Sequence, residues 1–260
     1  MSRRILITTA DDFGASAEVN EAVVQACREG VLRFASLMAE APAAEAAAEA
    51  ARALPGLGVG VHLVLCETSP AAWGLRLAAD AQARRELEGR LTAQVERALS
   101  FGIKPTHLDS HFNAHVHPAA FPIVLRLARR FAVPRVRWPE GELGPSLAYS
   151  RAGGLRQALL AGTYGALGLA SRWRAGGVSL TRAFGMLRSG MMTEDYALWL
   201  LRRLPEGTTE MYFHPSLEPA PEAGLPTPSH RSAAELRTLL SPRVRQTLRE
   251  EGIELLAAAR

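Results

Sequence analysis

The carboxylates and imidazoles of this 260-residue chain gather at a few places. Asp11 and Asp12 stand side by side at the end of the apolar run "RILITTA", where their charges repel. His62 lies in "LGVGVHLVL", and His107, Asp109, His111, His115 and His117 crowd into "THLDSHFNAHVHP". His214 follows "EMYF". Two histidines and a carboxylate make a divalent-metal site with positions left for water and substrate. Such an ion answers the repulsion: an aspartate that binds it offsets the charge of its neighbour. Asp12 in the first role leaves Asp11 to take a proton from water as general base. Successive residues of a strand point opposite ways, so a turn at Gly14 is required to bring both side chains into one cavity.

Each fragment alone has a plainer reading. An "ADD" also serves as a turn or a helix cap, and a lone His62 on an apolar strand also serves as a satisfied core histidine. The elements decide between them. "RILITT", "VLRFASLMA", "LGVGVHLVL", "KPTHLDSH", "VPRVRWP", "TEMYFHP" and "GIELLAA" read as strands. Ser16 caps a first helix with apolar face Val19, Ala22, Val23, Ala26 and Cys27, ended by Gly30. Further helices are expected near 43–53 and 80–100, from Pro118 to Arg130, near 193–204, and as a C-terminal pair with a Ser232–Glu235 capping box and Pro242 in a first turn. Repeated β-then-α units imply parallel strands with right-handed crossovers. The expectation is an α/β chain, a distorted (β/α) barrel of about six or seven parallel strands. Six of the seven histidines, all but His230, then fall at or near strand ends, where barrels of this kind build active sites.

Composition narrows the class. Apolar residues make up 48% and charged residues 22%, ordinary for a globular chain that buries its own core. Cys27 and Cys66 both fall on apolar elements, which argues against a disulfide framework and for a reducing cytoplasm. The aspartates cut off the N-terminal apolar run too early for a secretory signal, and no uncharged apolar stretch is long enough to span a bilayer. The net charge of +4 is carried by arginine, with Lys104 the only lysine, and is scattered rather than interleaved with aromatics, so no nucleic-acid partner is expected.

Residues 1–260 form one domain in this reading, with a lid or insertion at 139–190, where the pattern is weakest. There "LRQALLAGTYGALGLASRWR" holds an apolar core flanked by Arg151, Arg156, Arg172 and Arg174. It reads either as a packed helix or as a surface that touches lipid headgroups or an apolar substrate tail. Trp73, Trp138 and Trp173 are candidate sugar platforms, with core packing as the alternative.

The segments "TADDFG", "VGVHLVL", "PTHLDSHFNAHVHP" and "EMYFHPSL" resemble, in order and spacing, the landmarks of YdjC-type carbohydrate deacetylases, the chitooligosaccharide deacetylases among them. "ASLMAEAPAAEAA", "GMMTEDYALWLLRRLPEGTTEMYFHP" and "LLSPRVRQTLREEGI" resemble the hopanoid-biosynthesis subgroup HpnK. The resemblance implies a metal-dependent barrel enzyme that removes the acetyl group from an N-acetylated amino sugar, in the subgroup N-acetylglucosamine on a hopanoid polyol. It makes Asp12, His62 and His111 the ligands of one divalent ion, zinc ahead of magnesium. It makes Asp11 the base and His214 the acid or transition-state donor. Asn113 stands where the family usually has histidine, which leaves the triad intact and alters a substrate contact or a supporting one. Asp109 is placed to orient a ligand imidazole, and His115 is held as a reserve ligand.

The partners implied are an N-acetylated sugar or glycolipid and the inner membrane surface, with the oligomeric state, a homodimer included, left open. Rival functions are deacetylation of soluble chitooligosaccharides, a metal-dependent phosphoesterase on the same barrel, and a binding protein in which Asp11 and His214 are dispensable.

Overall fold

β1 (Arg4–Phe13) pairs with three other strands, and this sets the architecture. One edge runs parallel to β7 (Gly207–Phe213), from Arg4↔Gly207 to Ala10↔Phe213. The other edge is shared: residues 4–6 pair with the short β8 (Ile253–Leu255), and from Thr9 onward β2 (Phe34–Leu37) takes over. β3 (Gly58–Leu63), β4 (Leu108–Ser110), β5 (Arg135–Pro139) and β6 (Ser179–Phe184) complete the order β2-β3-β4-β5-β6-β7-β1. The β1–β2 pairing closes this into a seven-stranded parallel barrel with β8 appended to β1, the distorted barrel expected from the sequence. The coordinates, a computed structural model, describe residues 3–66, 70–169, 177–217 and 232–258. Arg172, Trp173, Arg174 and His230 lie outside them.

Helices pack around the barrel through apolar faces at helical spacing. α1 (Ala17–Glu29) begins at Ser16, whose Oγ accepts from Val19 N–H, and ends at Gly30, with Val19, Ala22, Val23 and Ala26 buried. α2 (Ala44–Arg52) buries only alanines, 44, 47, 48 and 51, small enough to bring its backbone close to the barrel. α3 (Pro70–Ala79) precedes α4 (Ala81–Ser100), which starts at Asp80, its carboxylate accepting from Gln82 N–H. α5 begins at Phe121 rather than Pro118 and runs to Arg130, with proline in its first turn. α8 (Glu194–Leu201), α9 (Ser232–Leu240) and α10 (Pro242–Glu250) complete the ring, α10 being capped by Ser241 ahead of Pro242.

One expectation needs correction. The stretch 139–190 is not wholly an insertion: it contributes β6, hydrogen-bonded to both β5 and β7, and among the described residues the helices α6 (Leu143–Tyr149) and α7 (Gly154–Leu169) stand outside the strand order. Glu235 is buried, and its carboxylate accepts from the backbone N–H groups of Met192 and His214.

Candidate active site

The two aspartates separate because β1 breaks its own alternation. Its register with β2 shifts between Ala10 and Phe13, and Asp12 adopts a left-handed backbone, φ 61°. Aspartate is among the few residues that visit this region at modest cost. The turn therefore occurs at Asp12 itself and not only at Gly14. Gly14, φ 96°, follows in a conformation that disfavours side chains, and a Cβ there would lie 3.0 Å from Ala44 Cα.

Asp12 faces two histidines. Its Oδ1 is 3.5 Å from His62 Nε2 and 3.6 Å from His111 Nδ1. His62 pairs in register with Asp109 on the neighbouring strand, and its Nδ1 lies 2.8 Å from Asp109 Oδ1, which leaves Nε2 turned to Asp12. Asp109 is fixed in turn by Ser36 Oγ and by Arg137 Nη2 at 2.8 Å. His111 follows β4 directly and is held by a sharp turn in which Phe112 and Asn113 both have positive φ. The side chains of Asp12, His62 and His111 therefore converge, with Asp109 against the far side of the His62 ring.

One donor atom from each of Asp12, His62 and His111 falls within 4.8 Å of the others. Asp12 Oδ1 and His111 Nε2 are buried without a hydrogen-bond partner, which is costly unless something else satisfies them. Burial would raise the Asp12 pKa, but His111, His62 and His214 hold it well below the usual carboxylate range. Burial likewise opposes charge on His62, yet Asp109, Asp11 and Asp12 raise its pKa. Three buried carboxylates, Asp11, Asp109 and Glu210, meet one buried guanidinium, Arg137, while a fourth, Asp12, faces His62 and His111. The cluster stabilises positive charge, and its imidazole–carboxylate donors suit a divalent ion.

Asp11 turns the other way. Arg137 donates from Nη1 to its Oδ2 (2.6 Å) and from Nη2 to its Oδ1 (2.7 Å). The same guanidinium donates to Glu210 Oε1 from Nε (3.1 Å) and Nη2 (2.8 Å). Neither β1 nor β7 adjoins β5, so these contacts cross the barrel lumen. Sequence reasoning missed Arg137 and Glu210. The available signal was an arginine inside "RVRWP" and a glutamate inside "TEMYF", where a buried strand should be apolar.

His214 Nε2 lies 3.9 Å from Asp11 Oδ2, and its Nδ1 3.6 Å from Glu235 Oε2. Burial would depress its pKa, but Glu235, Asp12 and Asp11 outweigh it and raise the value to about 9. Above these groups lies a cavity of about 310 Å³ whose walls include Asp11, His62, His111, Asn113 and His214. Its roof is α7, through Arg156, Leu160 and Tyr164, and Tyr164 Oη donates to Phe112 O. Asn113 Nδ2 donates to Tyr212 Oη (3.0 Å), while its buried Oδ1 has no partner.

His107, His115 and His117 stand outside the Asp12 group. His115 is no reserve ligand: Nδ1 pairs with Ser110 Oγ (2.7 Å) and Nε2 with Arg137 O (2.8 Å), leaving no ring nitrogen for an ion. His107 Nε2 pairs with Ser36 Oγ and its Nδ1 with Thr106 Oγ1. His117 packs on Trp73, away from the cavity walls, and Trp138 is buried against Phe121. Among the described residues the aromatic cavity walls are Phe112, Tyr164 and Tyr212.

The chain is 45% identical over 143 residues to a carbohydrate deacetylase of Geobacillus stearothermophilus, covering 50% of this chain and 58% of that protein. It is 38% identical over 145 residues, with the same shares, to a chitooligosaccharide deacetylase of Enterobacter sp. (strain 638). The aligned part thus spans little more than half the length of these relatives. A crystal structure from Enterococcus faecalis V583, assigned by its name to cellobiose-phosphate cleavage, superposes with a TM-score of 0.71 at 22% identity over 98% of this chain and 97% of that one. It shares the fold. Residues 5–250 match the family described as YdjC-like protein, and the chain belongs to that family.

Proposed function

We propose that the protein is a metal-dependent hydrolase that removes the acetyl group from an N-acetylated amino sugar, giving free amine and acetate. The observation that carries this is the division of labour between the adjacent aspartates: Asp12 faces two histidines, and Asp11 is pinned by Arg137 at the cavity wall. The deacetylase names of the relatives point the same way. Asp12, His62 and His111 would hold the ion, zinc by preference for two imidazoles, with magnesium second. Bound there, it would polarise the acetyl carbonyl and make water more acidic.

The chain's own groups supply the rest. Asp11 takes the proton of the attacking water, its carboxylate kept in orientation by the two Arg137 contacts. Asp109 holds His62 in the tautomer that presents Nε2 to Asp12. His214, on the wall beside Asp11, donates a proton to the departing amine. The cavity suits one sugar ring, with Asn113 and Tyr212 offering polar contacts and Phe112 and Tyr164 apolar ones.

For the finer substrate we propose N-acetylglucosamine linked to a hopanoid, on the likeness of the middle and late segments to the HpnK subgroup. Soluble chitooligosaccharide is the second reading, favoured by the name of the Enterobacter relative. The cytoplasm is the proposed location, since Cys27 and Cys66 are free thiols on or beside apolar elements. Incubation with N-acetylglucosaminyl-hopanoid and with N,N′-diacetylchitobiose, followed by mass spectrometry, tests both. Loss of one acetyl mass from the hopanoid alone is expected; loss from chitobiose alone moves the assignment to soluble sugars. Release of phosphate from sugar phosphates, with no acetate from either substrate, overturns deacetylation.

A further inference from the structure

The roof helix α7 is apolar on its outer side as well as its inner one. Inward it presents Gln157, Leu160, Ala161 and Tyr164, buried or half-buried over the cavity. Outward it presents Leu155, Leu159, Gly162 and Ala166, spaced about one turn apart and all exposed. Leu155 is 78% and Leu159 64% exposed. A helix that faces water normally carries charge on that side, and one apolar all round is normally enclosed. From Gln157 to the end of α7 there is no charged residue. The Thr163 hydroxyl is turned back onto Leu159 O (2.9 Å). Beside the N-terminal half of α7 a shallow groove of about 590 Å³, lined by Leu147, Ala148, Leu155 and Ala158, extends this surface.

The charge around the patch is one-sided. Residues 143–193 contain no aspartate or glutamate, although the whole chain has 26, and they contain six arginines. Arg188 is buried and Arg182 lies 3.9 Å from Glu140. Arg151 and Arg156, before and within the first turn of α7, are exposed and have no carboxylate partner among the described residues. Exposed leucines bordered by arginines that have no carboxylate partner among the described residues, in a segment without acidic residues, match an interface between acyl chains and anionic headgroups. A second copy of this chain is a poorer fit, because a two-fold contact would set arginine against arginine.

We propose that α7 docks the protein on an anionic lipid bilayer, with Leu155 and Leu159 entering the acyl boundary and Arg151 and Arg156 meeting headgroup phosphates. Because α7 also forms the cavity roof, docking places the cavity mouth at headgroup depth. Membrane docking does not rest on the deacetylase reading and is tested without substrate.

The full chain is sedimented with vesicles of phosphatidylcholine and with vesicles of phosphatidylcholine mixed with phosphatidylglycerol. Wild type should pellet with the anionic vesicles, less so at high salt. Leu155→Glu/Leu159→Glu should weaken binding at least about tenfold, since neither side chain can then leave water for the acyl boundary. Both positions are exposed, so melting temperature should be unchanged. Leu159→Trp gives an independent readout, its emission moving to the blue on addition of anionic vesicles. Equal pelleting of wild type and the double variant, or no pelleting of wild type, overturns the proposal. A wild-type dimer that the double variant converts to monomer, without vesicle binding, assigns the face to a second copy and overturns it as well.

Discussion

Arg137 and Asp11 meet across the barrel lumen in a two-pronged contact, 2.6 and 2.7 Å, with both side chains buried. The same guanidinium reaches Asp109 and Glu210, so one cation joins three carboxylates from strands that are not all neighbours. Buried pairs of this kind contribute little net stability against an apolar alternative, but breaking one leaves charge stranded. Arg137 thus ties the position of the proposed base to the integrity of the barrel.

Replacing Arg137 separates the two roles. Arg137→Gln strands three carboxylates and should cost about 3–5 kcal/mol of stability, read from urea or thermal unfolding. Arg137→Lys keeps a charge but loses the fork, so it should fold while turnover falls by about a hundredfold. Wild-type acetate release from the lysine variant would show that the orientation of Asp11 does not matter.

Asp11 and His214 should affect rate without affecting ion binding. Asp11→Asn is expected to bind metal as the wild type does and to lose turnover by roughly 10²–10⁴-fold. His214→Gln should lower kcat more than it raises KM. Steady-state kinetics beside metal analysis of the same samples check both; unchanged turnover in Asp11→Asn would falsify the base assignment.

Two buried histidines set an acid limit on stability. Burial lowers the pKa of His107 to about 3 and of His115 to about 4, against about 6.5 for an unfolded chain. The unfolded chain therefore binds more protons below pH 6.5, and stability is complete above that value and declines as pH falls toward the folded values. Urea midpoints measured from pH 7 to pH 4 should fall, and His107→Gln should flatten the decline. An unaltered slope in that variant would mean that other groups control acid unfolding.

The site was legible where chemistry and position coincide. The gathering of carboxylates and histidines at strand ends is legible from position alone, but the choice of Asp12, His62 and His111 among them rested on the likeness to YdjC-type deacetylases. The register that sets Asp109 beside His62 is visible only in the fold. Arg137 and Glu210 were hidden because a strand facing a closed lumen lets partners meet across it, and no local spacing records that meeting. His115 misled in the other direction. Its residue type suits a ligand, but its two ring nitrogens pair with Ser110 Oγ and Arg137 O. β6 was not legible because "SLTRAF" sets Thr181 and Arg182 side by side in its middle and so shows no apolar run. The left-handed Asp12 was also illegible, since only the crowding at Gly14 and the β1–β2 shift require it.

Gly14 offers a test of that turn. Gly14→Ala places a methyl group 3.0 Å from Ala44 Cα on a backbone with φ 96°, whereas Gly102→Ala, φ 79°, meets open space. The first should cost about 1–3 kcal/mol and weaken metal binding; the second should cost less and leave metal binding unchanged. Thermal melting and metal titration of both variants compare them directly. Equal losses, with metal affinity intact in both, would separate the turn from the site.

Asn113→His should change substrate handling without changing metal content. Asn113 contacts Tyr212 and lines the cavity but offers no atom to the Asp12 group. KM for the acetylated sugar is expected to shift while the ion content stays at the wild-type level. A gain of a second ion would instead make position 113 a latent ligand.

Metal content measured beside acetate release, on protein stripped with chelator and reloaded with zinc, bears most directly on the central claim. Wild type and Asp11→Asn should each take up one ion per chain, with acetate released only by wild type. Asp12→Ala and His111→Ala should take up essentially none and release no acetate. Full zinc content and wild-type acetate release in Asp12→Ala would contradict the assignment of Asp12, His62 and His111.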